Sequence, residues 1–254
     1  MKVSTWRLES GGLVYLGFAL AFWICMSGAV RGESGDPAFS VLVFSKTAAY
    51  RHDSIPSGIA AIRALGEQNN FHVDASEDAT VFNDGNLAQY HVVVFLSTTG
   101  DIFNPVEQAA FERFIRRGGG FVGIHSASDT EYDWPWYGGL VGAYFRRHPV
   151  IQPAILKVTD PSHLSTRHLP IEWKRTDEWY DFRDDLDPDI SVLMRIDEKT
   201  YRGGRMGAVH PMAWYHAYDG GRAWYTAVGH THESYSEPLV LEHLLGGIAW
   251  AAAK

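Results

Sequence analysis

Short apolar runs alternate with amphipathic segments through the first half of the chain, from about residue 39. The apolar runs are rich in β-branched and aromatic residues and cover residues 39–45, 91–98 and 119–125, with a weaker run at 72–77. Runs that are apolar on both faces are typical of parallel strands covered by helices. The pattern therefore predicts a doubly wound α/β domain with a mostly parallel sheet and helices on both faces.

Helix signals fall between these predicted strands. Asn104, Pro105 and Glu107 supply an N-cap, a proline at the first helical position and a glutamate at the third, so they predict a helix that ends near Arg117. Asp53 or Ser54 is expected to cap an earlier helix. Alternation of strand and helix is what a parallel sheet requires.

The second half of the chain is less regular. Apolar runs predict strands at 151–159, 191–196 and 223–229, and a closing helix at 239–253. Of the 18 Trp and Tyr residues after residue 32, only Tyr50 and Tyr90 precede residue 130. We expect this half to complete the same sheet and to carry an aromatic-rich insertion, which makes residues 39–254 one domain.

The first 32 residues have the pattern of a secretory signal peptide. Lys2 and Arg7 precede an apolar run at 13–30, and small residues follow before polarity returns at 31–34. Cleavage is expected after Ala29 or Gly32, but 18 apolar residues also reach the lower limit for a membrane span, so an uncleaved anchor is the alternative. The sequence thus predicts an exported protein, periplasmic or extracellular, which contacts a membrane only through an uncleaved leader.

Composition excludes several classes of function. Cys25 lies in the predicted leader, so the mature chain has no thiol for a nucleophile, a disulfide or a zinc thiolate site. With 22 Lys and Arg against 30 Asp and Glu the net charge is −8, and no basic run indicates a nucleic-acid partner. The glycine run at 118–120 precedes a strand, and no GxGxxG or GxxxxGK[ST] motif occurs. No nucleotide cofactor is expected.

Histidines and carboxylates cluster where predicted strands end. In an open parallel sheet the loops after these carboxyl ends form a crevice, so we expect a functional site there. One histidine in a loop is most often a cap or a surface residue, but three such loops at one edge indicate a site. The candidates in these loops are His52, Asp53, His125, Ser126, Asp129, His230, Thr231, His232 and Glu233.

The aromatic residues of the second half suggest the class of ligand. Flat amphipathic rings beside hydrogen-bonding groups suit carbohydrate, because the C–H faces of a sugar stack and its hydroxyls pair. About half of the rings are expected to close the core instead. The candidates for substrate contact are Trp134, Tyr137, Trp179, Tyr180, His210 and Trp214.

Four motifs together resemble the ThuA-like trehalose-utilisation family. They are residues 121–129, 177–182, the His210-Pro211…Trp214 segment and 229–234, in this order, and the resemblance spans about residues 39–254. It implies a flavodoxin-like sheet, similar to that of class I glutamine amidotransferases. Those enzymes carry a cysteine nucleophile in a G-x-C-x-G turn after a strand.

Histidine occupies that nucleophile position in this chain. The turn is Gly123-Ile-His125, so glutaminase chemistry is excluded because no thiolate can form an acyl-enzyme. Ser126 lies one residue beyond the apex of the turn, which argues against a serine hydrolase. A histidine at the apex is expected to face the crevice as a general base or a metal ligand.

Two chemistries remain open for these residues. His125, His230 and His232, with Asp129, Glu178 or Glu233 as a carboxylate ligand, could bind one divalent, zinc-like ion. The same residues could instead form an acid–base site without a metal. Glu178 is expected to act as an acid, a base or a ligand, with Trp179 or Tyr180 as a stacking platform. His52, His148 and His210 are further candidates, although the His-Pro pairs at 148 and 210 are also compatible with turns.

The resemblance implies an exported enzyme that acts on a small carbohydrate, a keto-disaccharide or a glycoside. Abstraction of a proton beside a carbonyl is the expected step, which isomerisation, elimination and glycoside cleavage would all use. The alternative is a sugar-binding or accessory module with a degenerate amidotransferase-like site and no turnover. The sequence leaves open whether the chain forms a homo-oligomer.

Overall fold

The structure, a computed structural model, describes Met1, residues 37–183 and residues 186–253. The chain divides into two units, Met1–Gly35 and Asp36–Lys254. The predicted leader at 1–32 lies, apart from Met1, outside the described residues and stays a prediction. None of the described helices combines the length and apolar character needed to cross a membrane.

The described part of the second unit contains eleven strands and five α-helices. The strands are β1 (Ser40–Phe44), β2 (His72–Ser76), β3 (Val92–Leu96), β4 (Gly120–Ile124), β5 (Phe145–Arg147), β6 (Gln152–Val158), β7 (Glu172–Asp177), β8 (Asp181–Phe182), β9 (Ser191–Ile196), β10 (Pro211–Tyr218) and β11 (Gly221–Thr226). The helices are α1 (Ile55–Asn69), α2 (Asp84–Leu87), α3 (Pro105–Arg116), α4 (Pro135–Val141) and α5 (Pro238–Ala252).

Nine strands form one sheet in the order β2-β1-β3-β4-β11-β10-β9-β6-β7. The five strands from β2 to β11 are parallel, and the remaining four extend the sheet by antiparallel pairing. The parallel part has the strand order of flavodoxin-like folds, in which ligands bind beyond the carboxyl ends of the strands. The predicted flavodoxin-like α/β fold is therefore confirmed.

Helices cover both faces of the parallel strands. Phe95 and Leu96 are consecutive in β3 and point to opposite faces, yet both are fully buried. The Phe95 ring stacks on Phe111 of α3 at 5.3 Å, while Leu96 lies against Gly58 of α1. Because β3 is buried on both faces, its sequence is a continuous apolar run, and this run predicted the strand.

The capping signal predicted for the Asn104 helix is present in the structure. The Asn104 side chain accepts hydrogen bonds from the backbone N–H groups of Val106 (2.8 Å) and Glu107 (3.1 Å), and Glu107 accepts from the N–H of Asn104 (2.8 Å). This capping box starts α3 as predicted. Ser54 occupies the N-cap position of α1 without a capping hydrogen bond from its side chain, and Asp53 is an exposed turn residue.

Two strands of the antiparallel half, β7 and β10, were not predicted. In β7 the inward positions are Trp173, Arg175 and Asp177, so two of its three buried side chains are charged. The hydrophobic pattern could not identify a strand with such a face. The buried rings around Trp214 and Tyr225, which stack at 4.3 Å, form the aromatic cluster expected in this half.

Candidate functional site

The turn after β4 is strained at His125. Its φ of 53° lies in the left-handed region, which non-glycine residues seldom adopt, and such strain is common at functional sites. A short 3₁₀ turn, His125–Ser128, follows at once. Gly123 permits the close packing before the turn, because a Cβ there would lie 2.9 Å from the Tyr225 ring. The sharp turn expected from the Gly123-Ile-His125 motif is thus present.

One tautomer of His125 is fixed by the fold. Its Nδ1 lies 2.9 Å from the carbonyl oxygen of Ala227, which can only accept a hydrogen bond. The proton therefore resides on Nδ1, and a neutral ring presents a lone pair at Nε2. The ring is fully buried, so protein groups rather than solvent surround that lone pair.

Four polar groups converge on His125 Nε2. The distances are 3.0 Å to the Tyr180 hydroxyl, 3.1 Å to His52 Nε2, 3.2 Å to His230 Nδ1 and 3.4 Å to Glu178 Oε2. His52 follows β1, His230 follows β11 and Glu178 follows β7. The sheet therefore assembles one cluster from four separate loops. We call His52, His125, Glu178 and His230 the histidine cluster.

The pKa shifts of His52 and Glu178 favour the binding of a cation. Burial and the neighbouring imidazoles lower the pKa of His52 to about 3, so this ring is neutral. Burial alone would raise the pKa of Glu178, but the imidazoles of His125, His148 and His230 outweigh it and hold this pKa well below its usual range. Neutral imidazoles with an anionic carboxylate are what metal binding requires.

The spacing of the cluster also fits a metal ion. In a tetrahedral zinc site with bonds of about 2.0–2.1 Å, neighbouring ligand atoms are about 3.3 Å apart. Four of the distances here, including 3.1 Å between His230 Nδ1 and Glu178 Oε2, lie between 3.1 and 3.4 Å. All four ligand atoms lie within 4.8 Å of one another. This set of residues could hold one divalent ion.

Asp177 holds the His230 loop in place. Its fully buried carboxylate accepts hydrogen bonds from the backbone N–H groups of Gly229 and His230, each at 3.1 Å. Arg175 Nη1 lies 3.2 Å from the same carboxylate. The sequence placed Asp177 in a family motif, but no local signal indicated that its carboxylate holds a loop 52 positions further along the chain.

His232, expected as a metal ligand, lies outside the cluster. It is exposed, and its Nδ1 is 3.0 Å from the Ser57 hydroxyl. Thr231 contacts the Ser234 hydroxyl at 3.2 Å, and Glu233 is exposed. The structure therefore groups His125 and His230 with His52 and Glu178 and places His232 apart from them.

A cavity of about 430 Å³ opens beside the cluster. It is lined by Tyr50, His52, Asp129, Phe145, His148, Glu178, Tyr180 and His230. Asp129 is half-buried; burial raises its pKa, although Tyr132 donates a hydrogen bond to Oδ1 at 2.6 Å. His148 is close to Glu178, with Nδ1 2.9 Å from Oε1. The cavity thus joins the histidine cluster to a second carboxylate.

Four aromatic candidates face the interior instead of this cavity. Trp179 donates to the Gln152 carbonyl (2.8 Å) and Trp214 to that of Val141 (2.9 Å). The Tyr137 hydroxyl donates to Ala127 O at 2.6 Å, and Trp134 stacks on Trp136 at 5.0 Å. These polar tips have partners within the fold, so Trp134, Tyr137, Trp179 and Trp214 are corrected to core residues. Tyr180 alone of the six candidates lines the cavity.

The remaining candidates lie around the cluster. Ser126 is buried with its hydroxyl 3.4 Å from His52 Nδ1, and Asp53 is exposed away from the cavity lining. His210 is buried behind Tyr180, whose carbonyl accepts a hydrogen bond from its Nε2 at 2.7 Å. Phe145 lines the cavity although no sequence signal marks it, and His148, a further candidate whose His-Pro pair was also compatible with a turn, lines it as well.

Comparison with known proteins agrees with this fold. The ThuA family model, described as trehalose utilisation, matches residues 40–251. A ThuA-like protein from Bacteroides uniformis ATCC 8492 is 22% identical, with a TM-score of 0.71 over 88% of this chain and 95% of that one. Another, from Parabacteroides merdae ATCC 43184, is 20% identical, with a TM-score of 0.71 over 85% and 90%.

More distant likenesses involve larger proteins. A β-galactosidase from Bacillus circulans sp. alkalophilus is 13% identical, with a TM-score of 0.51 over 84% of this chain and 30% of that one. At such identities these structures establish the fold alone. No match was found among curated proteins. Since the family model spans nearly the whole of the described second unit, the chain belongs to the ThuA, or trehalose utilisation, family.

Proposed function

We propose that this chain is an exported carbohydrate-active enzyme that removes a proton beside the carbonyl of a keto-disaccharide or keto-glycoside, assisted by one divalent ion. The convergence of two further imidazoles, those of His52 and His230, and of the Glu178 carboxylate on His125 Nε2 carries the proposal. The ThuA family's description as trehalose utilisation supports a sugar as substrate. The leader predicted at residues 1–32 supports export.

Hydrogen bonding alone does not explain the cluster. His125 Nε2 offers one lone pair, yet His52, His230 and Tyr180 all approach it within 3.2 Å. A divalent ion would instead take lone pairs from three imidazoles and Glu178 at once. Imidazole with carboxylate suits zinc and related ions. When bound, such an ion polarises a carbonyl oxygen.

Asp129 is the base that we assign to the reaction. It lines the same cavity as Glu178 and His230 but is not a member of the cluster. Its raised pKa makes its carboxylate a better base than an exposed aspartate, because proton transfer is most effective when this pKa is near the working pH. Tyr132 fixes its orientation through the 2.6 Å hydrogen bond.

The walls of the cavity suit a sugar. Tyr50, Phe145 and Tyr180 contribute rings, while Asp129 and His148 contribute polar groups that hydroxyls can pair with. Tyr50 is 62% exposed at the entrance, where a ring can cover the face of a sugar that enters. Small carbohydrates are therefore the partner class we propose, with neither nucleic acid nor a nucleotide cofactor.

Metal analysis tests the centre directly. The purified full chain, reconstituted with zinc or cobalt and freed of excess ion, should retain about one equivalent, measured by mass spectrometry of the metals. His52→Ala should lose most of it because one ligand is removed. His232→Ala is the matched control, since that ring lies outside the cluster, and it should retain the ion. Equal metal content in the two variants would contradict the proposed ligand set.

Deuterium exchange tests the chemistry without knowledge of the final product. Keto derivatives of trehalose and of methyl glucoside, incubated with the metal-loaded chain in D₂O, should exchange the proton beside the carbonyl, as followed by NMR. Asp129→Asn should slow this exchange by about 10²–10⁴-fold while leaving the metal content unchanged. Exchange at the wild-type rate in this variant would show that Asp129 is not the base.

A further inference from the structure

Tyr180 contributes its hydroxyl to the centre of the cluster. The residue lies between β7 and β8, its side chain is almost fully buried, and its phenol oxygen is 3.0 Å from His125 Nε2. Within residues 37–183 and 186–253, that nitrogen is the partner the structure gives this hydroxyl. The geometry is that of a hydrogen-bond donor aimed at the cluster rather than of a ring presented flat to a ligand.

Binding of an ion would displace this hydrogen bond. Because Nδ1 of His125 holds its proton against Ala227, Nε2 has a single lone pair, which cannot serve both an ion and the Tyr180 hydroxyl. The hydroxyl would then be a buried donor without an acceptor, which is unfavourable. Tyr180 also lines the cavity. A molecule bound in this cavity next to the ion could therefore supply an oxygen atom that accepts the hydrogen bond of the Tyr180 hydroxyl.

We propose that Tyr180 donates a hydrogen bond to the substrate oxygen held at the divalent ion, and so stabilises the negative charge that this oxygen gains when the neighbouring proton leaves. The proposal rests on the metal centre proposed above. It makes Tyr180 a catalytic residue of the oxyanion-stabilising kind, selective for ligands that present an anionic or enolate oxygen.

The surroundings of Tyr180 hold the donor in position. His210 donates to the Tyr180 carbonyl at 2.7 Å, and the Phe145 ring packs on the Tyr180 ring with centroids 4.3 Å apart. His210 in turn contacts Glu198 at 2.8 Å through Nδ1. A donor whose backbone and ring are both fixed needs little reorganisation when charge develops on its acceptor.

Two small probes separate this role from metal binding. Acetohydroxamate binds metal ions through anionic oxygens that accept hydrogen bonds, whereas imidazole binds through a nitrogen and has no lone pair left to accept one. Their affinities for the cobalt-loaded full chain would be measured from the visible spectrum of cobalt. Tyr180→Phe removes one oxygen and keeps the ring. The matched control is Tyr218→Phe, because the Tyr218 hydroxyl of the wild type donates to Trp136 O.

Tyr180→Phe should bind cobalt as the wild type does and bind imidazole equally well, but bind acetohydroxamate about 10- to 100-fold more weakly. In the exchange assay its kcat should fall about 10²–10³-fold with little change in KM. Tyr218→Phe should match the wild type in all of these measurements.

Unchanged acetohydroxamate affinity in a cobalt-loaded Tyr180→Phe chain would overturn the donor role while leaving the metal centre intact. Equal weakening of both probes would also overturn it, since it would indicate a general loss of structure. Should the wild type bind no cobalt, the function proposed above fails instead. If Tyr180→Phe does not fold, 3-fluorotyrosine placed at position 180, a stronger donor, should bind acetohydroxamate more tightly than the natural residue, and no gain would overturn the proposal.

Discussion

One buried carboxylate determines which histidine of the 230–232 loop faces the cavity. Asp177 accepts two backbone N–H groups of this loop and one from Glu178, so it positions two members of the histidine cluster at once. The Arg175 guanidinium, 3.2 Å away, gives this buried carboxylate a partner of opposite charge. Asp177 therefore acts on the centre through other residues, without touching the ligand atoms itself.

Asp177→Asn should weaken both the loop and the centre. The amide offers one acceptor oxygen where the carboxylate offers two, and it removes the ion pair with Arg175, which keeps its contact with Glu237 at 3.4 Å. We expect the free energy of unfolding to fall by about 2–3 kcal/mol and metal affinity to fall about 10–100-fold. Urea titration and cobalt titration measure the two effects. Asp53→Asn, at an exposed turn, should change neither, and equal behaviour of the two variants would refute the positioning role.

The individual members of the histidine cluster could be predicted from the sequence only in part. His125 and His230 follow strands whose apolar runs are plain, so their loops could be placed at one edge. His230 and His232 could not be told apart, because the choice depends on hydrogen bonds to Asp177, which is distant in sequence. Trp179 and Tyr180 present the same difficulty: they are adjacent, yet one faces the core and the other the cavity.

Helix α5 packs unusually closely on the rest of the domain through a glycine pair. A Cβ at Gly246 would lie 2.4 Å from Leu164 O and 2.5 Å from Ser165 Cα, and one at Gly247 would meet the Trp224 ring at 2.6 Å. Gly246 is the more demanding position because its neighbours are backbone atoms. They cannot turn aside as a side chain can.

Gly246→Ala should therefore destabilise the fold although alanine favours helices. The steric cost of about 3 kcal/mol exceeds the gain in helix propensity of about 1 kcal/mol, so the midpoint of urea unfolding should fall. Gly85→Ala in α2 is the matched control, since its Cβ would lie 3.5 Å from the nearest atom, an ordinary contact. Destabilisation of similar size in both variants would show that close packing of α5 is not the cause.

The elements could be predicted where hydrophobic pattern and capping agree. The apolar strands β1, β3 and β4 and the capped helix α3 satisfy this condition, and each lies close to its predicted bounds. The hydrophobic pattern did not predict β7, because the buried side chains of this strand include Arg175 and Asp177. Asp177 binds the His230 loop, and Arg175 contacts Asp177. The buried charged residues that prevented the prediction of this strand are thus the residues that position the candidate site.

The whole sheet brings distant parts of the chain to a single edge. His52 and His230 are separated by 178 positions, yet both lie beside His125 because β1, β4 and β11 are parallel and end at the same edge. Glu178 reaches this edge from the antiparallel half. The apolar runs predict the parallel strands and so the edge at which His52, His125 and His230 meet. No local pattern predicts that the antiparallel strands bring Glu178 to the same edge.

The same tight burial makes the stability of the whole molecule sensitive to acid. Burial lowers the pKa of His243 to about 3, and it also lowers the pKa values of His163 and His216. Below pH 6.5 these histidines bind protons in the unfolded chain but remain neutral in the folded chain. The free energy of unfolding therefore falls as the pH falls from 6.5 towards 3. Above pH 6.5 these histidines contribute no pH dependence.

His243 permits a direct test of this linkage. Its Nδ1 lies 2.6 Å from Ser165 O and its Nε2 3.1 Å from the Thr226 hydroxyl, so the ring is neutral and paired on both sides. His243→Asn retains a donor near Nδ1 but cannot titrate. With a chelator present to exclude metal effects, its unfolding free energy should fall less steeply between pH 6.5 and 4, by up to about 1.4 kcal/mol per pH unit. Parallel slopes for His243→Asn and the wild type would mean that this buried imidazole takes up its proton without unfolding.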